Sequence, residues 1–237
     1  MRLTIKTTPY SDQKPGTSGL RKKVRTFLQP HYLQNFIQAV LNVVDIGDRP
    51  LVIGGDGRYY NREAIQIILK MAAANGVRQV IAGQGGLLST PAASHLIRMH
   101  HAGGGFVLSA SHNPGGPEAD FGIKFNVENG GPAPAGFTDR AYRVSRQLAE
   151  YHILDAADVD LDAPGTRQLA NLRIEVVDPV AAYADLMERL FDFDRIRGLF
   201  AKGNFTFRFD AMHAVTGPYA REIFERRLGA APGSVMN

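Results

Sequence analysis

The segment Ser109–Pro117, with the sequence SASHNPGGP, carries the side chains of this chain that best suit covalent chemistry. Ser111 offers a hydroxyl nucleophile beside His112 and Asn113, and the glycines that follow would let the backbone approach a phosphate closely. The same residue types are common in turns, so a capped turn without function stays open from composition alone. No serine stands in a Gly-x-Ser-x-Gly motif, which excludes the usual serine hydrolase elbow.

A second stretch, Lys14–Val24 with the sequence KPGTSGLRKKV, is here called the basic segment. It places two glycines around the hydroxyl residues Thr17 and Ser18, with Arg21 just downstream. Backbone N–H groups, hydroxyls and a guanidinium together suit a phosphate, because arginine offers two parallel hydrogen bonds to phosphoryl oxygens. The alternative is a flexible turn followed by a solvated basic edge, which we expect for Lys22 and Lys23. For Arg21 both interpretations remain open.

The third candidate segment, Asp120–Asn126, reads DFGIKFN. Lys124 stands between Ile123 and Phe125, so strand alternation turns its side chain away from theirs. If those two residues face the core, Lys124 faces solvent or a cleft. Exposure without function is the default for a lysine.

Three short apolar runs predict the strands that position these segments: Leu51–Gly54, Gln79–Ala82 and Phe106–Leu108. Helical patterns separate the runs, which predicts parallel pairing through right-handed crossovers and an α/β layered domain. Ser111 then follows the carboxyl end of a parallel strand, where such sheets place their ligands.

The boundaries of the helices follow from capping residues. We expect Asn61 to cap a helix that ends at Asn75 and Gly76, and Thr90 to cap the next helix, with Pro91 in its first turn. The later elements predicted are a helix at 138–151, a helix from 178 to 190, a strand at 205–209 and a helix at 219–228.

The composition narrows the classes of protein that this chain can belong to. It has 237 residues, 44% of them hydrophobic and 21% charged, which is typical of a soluble globular protein. The absence of cysteine excludes disulfides and thiolate chemistry and favours a cytoplasmic location. We expect no signal peptide and no membrane span, and the net charge of +4 is too small to argue for nucleic acid.

Taken together, the motifs resemble those of phosphoglucomutases in the α-D-phosphohexomutase superfamily, essentially from end to end. The glucose-specific branch is favoured by the run KPGTSGLR. The segments that carry the resemblance are residues 14–24, 54–58, 85–91, 109–117, 120–126, 129–134 and 210–213.

The resemblance implies four domains around a cleft, the first three built on a related α/β plan. Residues 1–178 would form domain I, a layered domain with a mixed, largely parallel sheet between helices. Residues 179–237 would form a connecting helix and a partial domain II, truncated before the metal-binding loop.

The resemblance also implies an activity: reversible interconversion of glucose 1-phosphate and glucose 6-phosphate through a phosphoserine and glucose 1,6-bisphosphate. Ser111 would carry the phosphoryl group, Arg21 would contact the substrate or the bisphosphate, and Lys124 would lie near the transferring phosphate. The catalytic residues implied are Ser111, Lys124 and His112, and the phosphate-binding residues implied are Arg21, Thr17, Ser18 and Asn113. The expected partners are small hexose phosphates in the cytoplasm, without nucleic acid or membrane.

The sequence departs from the pattern of this family in one large respect. The family holds Mg²⁺ with three aspartates in an Asp-Gly-Asp-Gly-Asp-Arg loop, and this chain contains no such run. The segment Phe191–Arg195 has a similar cadence, but we expect its phenylalanines to pack rather than surround a cation. The only metal ligand expected here is the phosphate on Ser111, so the chain alone is expected to be inactive. Smaller departures are Ser109 in place of threonine and Glu118-Ala119 in place of Asn-Gly.

Two other functions remain as alternatives. One is a non-catalytic module that binds phosphate or phosphosugars through the glycine loops. The other is a nucleic-acid binder using the basic residues of 21–25, although no aromatic platform accompanies them. For Asp56 and Arg58, at the end of a predicted strand, we expect a supporting structural role.

Overall fold

The computed structural model describes residues 1–16 and 19–237, and the chain divides into two compact units, Met1–Val177 and Asp178–Asn237. The division lies beside the boundary suggested by the resemblance, and the assignment of the units to domains I and II stays a prediction. The strands of the first unit are β1 Arg2–Lys6, β2 Leu20–Lys23, β3 Leu51–Gly55, β4 Gln79–Leu87, β5 Gly104–Leu108, β6 Asp120–Val127, β7 Glu150–Leu154, β8 Gly165–Leu169 and β9 Leu172–Val177. Its helices are α1 Val24–Phe27, α2 Tyr32–Leu41, α3 Asn61–Ala74, α4 Thr90–Met99 and α5 Ala135–Ser145.

The main sheet of the first unit has the strand order β2-β6-β5-β3-β4-β9-β8 within the described part of the chain. The central strands β5, β3, β4 and β9 are parallel, whereas β6 and β2 on one side and β8 on the other pair antiparallel. The predicted mixed α/β sheet is confirmed. Its parallel part is confined to the centre, where helical crossovers connect the strands.

Helices cover both faces of this sheet. In β3, Leu51 and Ile53 join the core cluster that also contains Ile68 of α3. Val52 points to the opposite face, since successive strand residues alternate. A Cβ on its partner Gly105 would lie 3.0 Å from Val52 Cβ and 3.2 Å from Ile97 Cδ1 of α4. The layers are therefore helix, sheet and helix.

A second, two-stranded sheet joins β1 at the N-terminus to β7, antiparallel, with Arg2 opposite Leu154. The predicted helix at 138–151 is wrong at its C-terminal end, because α5 ends at Ser145 and Tyr151 lies buried in β7. The apolar and aromatic residues of β7 pair with a strand almost 150 positions away, which no local pattern indicates.

Both predicted helix caps are displaced by one residue. Tyr60, with a φ of 72°, is the N-cap of α3, and Asn61 is the first helical residue, buried. Ser89 rather than Thr90 caps α4, where its Oγ accepts a hydrogen bond from the N–H of Ala92 at 3.3 Å. Asn75 ends α3 as predicted.

The second unit contains helices α6 Ala181–Leu190, α7 Phe193–Ala201 and α8 Thr216–Ala220, a π-helical segment Arg221–Arg227, and strands β10 Phe209–Asp210 and β11 Val235–Met236. The two strands pair parallel. The strand predicted at 205–209 is therefore wrong for all but its last residue. The helix predicted at 219–228 is α8 continued by the π-helical segment. None of the helices in the described ranges is long and apolar enough to cross a membrane.

The segment Phe191–Arg195 lies at the junction of two helices: Phe191 is the C-cap of α6, and α7 begins at Phe193. Asp192 caps α7 by accepting the N–H of Arg195 at 2.9 Å, and Phe193 is buried as expected. The expectation that both phenylalanines pack is wrong for Phe191, which is 57% exposed. Across residues 1–16 and 19–237, no group of three or more His, Asp or Glu side chains is placed to hold a metal ion.

Candidate active site

Two loops follow the carboxyl ends of neighbouring parallel strands in the first unit. Residues 109–119, here called the serine loop, follow β5, and Asp56 begins the loop after β3. The N–H of Asp56 donates to the carbonyl of Leu108 at 2.9 Å, so the two loops start side by side. This edge is the place where open α/β sheets bind ligands.

Ser111 is exposed and has a backbone φ of 58°, in the left-handed region that residues with a Cβ seldom adopt. Its N–H donates to Ser109 Oγ at 3.0 Å, and its carbonyl accepts from Nη2 of Arg58 at 3.1 Å. Contacts on both sides of the residue therefore hold the unusual conformation. A non-glycine residue kept in such a conformation is a common feature of functional loops.

His112 is also exposed, and its Nδ1 lies 3.4 Å from Ser111 Oγ. This distance is long for a hydrogen bond to a hydroxyl. The imidazole is near enough to accept or return a proton at Oγ after a small rotation of either side chain.

Asn113 closes the loop on itself. Its Nδ2 donates to Asp120 Oδ2 at 2.8 Å, and Lys23 Nζ lies 2.9 Å from Asp120 Oδ1. The hydrogen bond from Lys23 holds the pKa of Asp120 below its usual range, with the bond from Asn113 adding to the effect. The side chain of Lys23 is 53% exposed, as expected for a solvated basic edge, and this ion pair also ties β2 to the beginning of β6.

Arg21 and Lys124 lie on the two strands beside the serine loop. Arg21 of β2 is opposite Gly122 of β6, and Lys124 is two residues further along β6. Residues directly opposite, and every second residue along a strand, share a face, so the two cations lie on the same face of the sheet. Arg21 Nε is buried and has no hydrogen-bond partner among the residues that are described.

Lys124 is partly buried, and its Nζ donates to Oγ1 of Thr90, at the start of α4, at 3.3 Å. Burial lowers the pKa of Lys124, and the positive charge of Arg21 lowers it further. An ammonium in this setting is poorly neutralised by the protein, which favours an anionic ligand beside it.

Two glycines permit the close packing of these strands. A Cβ on Gly122 would lie 2.2 Å from the carbonyl oxygen of Ser109, and a Cβ on Gly19 would lie 2.5 Å from Lys124 Cβ. Only glycine allows β6 to contact the serine loop, and the basic segment to contact Lys124, at these distances.

The predicted site residues thus fall into two groups. Ser111, His112 and Asn113 share one loop, and Arg21 and Lys124 lie on the adjoining strands. Thr17 and Ser18 lie outside the described residues. Sequence reasoning missed Thr90 as the partner of Lys124, and it gave Arg58 no contact with the serine loop. The only local signal for Arg58 was its place just after a strand, at the same sheet edge as the loop.

The fold and the serine loop define the class. Residues 12–152 match the family model described as "Phosphoglucomutase/phosphomannomutase, alpha/beta/alpha domain I". This chain belongs to that family.

Within this family, the chain is similar to proteins named phosphoglucomutase. The chain is 61% identical to a phosphoglucomutase of Rhizobium radiobacter and 52% identical to a chloroplastic phosphoglucomutase of Arabidopsis thaliana. These matches cover 100% and 99% of this chain but 44% and 38% of the relatives. The open-form crystal structure of Paramecium pp63/parafusin, a phosphoglucomutase, matches with a TM-score of 0.95 at 46% identity, over 100% of this chain and 45% of that one. The chain therefore spans less than half the length of the relatives that it matches.

Proposed function

We propose that this chain forms the phosphoserine-bearing part of a phosphoglucomutase that interconverts glucose 1-phosphate and glucose 6-phosphate. The observation that carries the proposal is the exposed hydroxyl of Ser111, held in a left-handed backbone conformation at the ligand-binding edge of the sheet. Two cations, Arg21 and Lys124, share one face of the adjoining strands. The names of the relatives support the glucose phosphates as substrates.

In the proposed cycle, phosphorylated Ser111 gives its phosphoryl group to a hydroxyl of the hexose phosphate. The Oγ–P bond breaks, a new sugar O–P bond forms, and the product is glucose 1,6-bisphosphate. The proton of the sugar hydroxyl passes to a nearby base, and Ser111 Oγ takes up a proton as it leaves phosphorus. The other phosphoryl group of the bisphosphate then returns to Ser111, whose hydroxyl gives up its proton, and a proton is restored to the sugar oxygen that it leaves.

The side chains of this chain would contribute charge and proton transfer. Phosphoryl transfer depends mainly on in-line positioning and on neutralising the phosphoryl oxygens, which Arg21 and Lys124 are suited to do. The lowered pKa of Lys124 also makes its amine readier to exchange a proton. His112, whose Nδ1 is 3.4 Å from Ser111 Oγ, is a second candidate for proton transfer.

Magnesium is implied by the resemblance and would supply further charge neutralisation on the phosphoryl oxygens when bound. The part of the chain that the structure describes offers no cluster of carboxylates or imidazoles for it. The residues present do not by themselves fit such an ion, and the phosphate on Ser111 is the one ligand proposed here. No step of the cycle above is assigned to the metal.

The proposed location is the cytoplasm, although relatives with both cytoplasmic and chloroplastic names match this chain. The proposed partners are hexose phosphates alone. The basic residues of β2 do not argue for nucleic acid, since Lys22 and Lys23 are paired with Asp12 and Asp120.

A chimeric enzyme tests the proposal. Residues 1–237 would replace the matching N-terminal segment of the Rhizobium radiobacter relative, and the purified chimera would be incubated with ³²P-labelled glucose 1,6-bisphosphate. We expect label on Ser111 and mutase turnover. Ser111→Ala should abolish both, whereas Ser11→Ala, a change at an exposed serine outside the loop, should affect neither.

Label on another residue, or full turnover of Ser111→Ala, would refute the role of this serine. A chimera that binds glucose 6-phosphate but never labels Ser111 would support the non-catalytic phosphosugar-binding module instead.

A further inference from the structure

The guanidinium of Arg58 is anchored by the carboxylate of Asp56. Its Nε lies 3.0 Å from both Oδ1 and Oδ2, and its Nη2 lies 2.9 Å from Oδ2. The side chains are 8% and 14% exposed, so water competes little with this pair. The pair forms directly after β3, the buried central strand of the sheet.

The outer edge of the same guanidinium holds the serine loop. Nη2 donates to the carbonyl of Ser111 at 3.1 Å, and Nη1 donates to the carbonyls of Asn113 at 3.3 Å and Asp120 at 2.8 Å. These three carbonyls span the loop from the serine to the first residue of β6. One planar group therefore ties both ends of the loop to the end of β3.

We infer that Arg58, anchored by Asp56, is a positioning residue that orients the phosphoryl-bearing serine. The inference rests on the proposed function of Ser111. Ser109 Oγ holds the N–H of Ser111 and Arg58 holds its carbonyl, so the backbone on both sides of the residue is fixed. The direction of the Cα–Cβ bond is then set before substrate arrives.

Arg58 is not a phosphate ligand in this arrangement. Its N–H groups already donate to Asp56 and to three carbonyls, and the carboxylate of Asp56 offsets its charge. Arg21 differs, because its Nε has no partner among the described residues. The two arginines are therefore assigned different tasks, orientation for Arg58 and charge neutralisation for Arg21.

Arg58→Lys is the informative variant, since lysine keeps the charge but cannot bridge one carboxylate and three carbonyls. In the chimera, we expect the rate of phosphoryl transfer to Ser111 to fall by about 10²-fold, the effect usual for misplacing a reacting group by about 1 Å. The KM for glucose 1-phosphate should change little. In the 237-residue chain, amide hydrogen exchange in residues 109–120 should become faster.

Arg62→Lys is the matched control. Arg62 is also paired with an aspartate, Asp162, at 2.6 Å, but the pair is exposed and, within the described part of the chain, no hydrogen bond joins it to the serine loop. We expect its labelling rate and the exchange of residues 109–120 to equal those of the wild type. Equal labelling rates for Arg58→Lys and Arg62→Lys would overturn the inference while leaving the proposed function intact.

A measurement on the unmodified chain covers the case in which Arg58→Lys does not fold. With its N–H groups engaged, Arg58 should give slowly exchanging Nε–H and Nη–H resonances in ¹⁵N spectra, assigned through the backbone. Rapid exchange of these N–H protons, like that of Arg62, would refute the hydrogen bonds that join Arg58 to the serine loop. If these hydrogen bonds are present but wild-type Ser111 is never labelled, the proposed function fails, and the inference that Arg58 fixes the conformation of the loop stands.

Discussion

Ser111 has an unfavourable left-handed backbone conformation, which glycine usually adopts in turns that serve only the structure. A left-handed conformation costs a residue with a Cβ about 1–2 kcal/mol. The serine is kept there by Ser109 and Arg58, and its hydroxyl is exposed. Stability is thus lost at the residue where the chemistry is proposed.

A glycine at this position should be more stable than an alanine. Both Ser111→Gly and Ser111→Ala remove the hydroxyl, but only glycine adopts a φ of 58° without steric cost. We expect the glycine variant to exceed the alanine variant by about 1 kcal/mol in the free energy of unfolding, measured in urea. Equal stability would indicate that the loop relaxes when the hydroxyl is absent.

Lys124 should likewise reduce stability when charged. Burial lowers its pKa in the folded state, so the folded protein binds this proton less tightly than the unfolded chain. The contribution of Lys124 to stability therefore rises as the pH climbs from its folded pKa towards its unfolded pKa.

We expect Lys124→Met to keep or raise the free energy of unfolding at pH 7, by up to about 1 kcal/mol, while impairing phosphoryl transfer in the chimera. The advantage of the variant over the wild type should shrink as the pH rises through the folded pKa of Lys124. Urea unfolding at several pH values measures this. If the stability advantage of Lys124→Met instead grows with pH, the pKa of Lys124 is not lowered by folding.

At the scale of elements, the site depends on the contact between β6 and the loop after β5. The antiparallel strands β2 and β6 bring Arg21 and Lys124 to the parallel part of the sheet, which ends at the serine loop. Gly122 is the point of closest approach.

Gly122→Ala should disturb this contact. The added Cβ would lie 2.2 Å from the carbonyl oxygen of Ser109, so the strand or the loop must shift. We expect a loss of about 1–3 kcal/mol in the free energy of unfolding, the usual cost of overpacking, and slower labelling of Ser111 in the chimera. Gly136→Ala in α5 is the control, because its added Cβ meets no described atom within 4 Å apart from its chain neighbours and the backbone of its own helix, and alanine favours helix. Similar losses in both variants would contradict the steric argument.

At the scale of the whole molecule, the chain joins a unit carrying the serine loop to a smaller unit of helices and two short strands. It spans 44% of the Rhizobium radiobacter relative and 45% of the Paramecium structure. The sequence has no counterpart of the three aspartates that the resemblance implies as metal ligands, and the described residues form no metal cluster.

We therefore predict that purified residues 1–237 show no mutase turnover on glucose 1-phosphate with glucose 1,6-bisphosphate and Mg²⁺. Added Mg²⁺ should not raise the melting temperature, because binding to the folded state alone would be needed for that. A coupled assay of glucose 6-phosphate and a thermal melt measure both, with the chimera as the positive control. Turnover comparable to the chimera would contradict the prediction.

Much of the fold was predictable because it depends on short-range patterns. Apolar runs ending in polar loops identified β3, β4 and β5, and Asn75 was correctly placed at the end of α3. The caps at Tyr60 and Ser89 were missed by one residue. Tyr60 is not a usual capping residue, and Ser89 and Thr90 are almost equivalent as caps.

Residue types and spacing were enough to identify the serine loop, the basic segment and the parallel centre of the sheet, because turn chemistry and strand periodicity are local properties of the chain. Only the tertiary structure decided four features. They are the antiparallel edge strands, the pairing of β1 with β7, the contact of Lys124 with Thr90, and the hydrogen bonds from Arg58 to three carbonyls. The pairing of β1 with β7 joins residues 144 to 152 positions apart, and Lys124 and Thr90 are 34 positions apart. The partners of Arg58 are backbone carbonyls, which every residue carries. No local pattern records which of many possible partners such a group will meet.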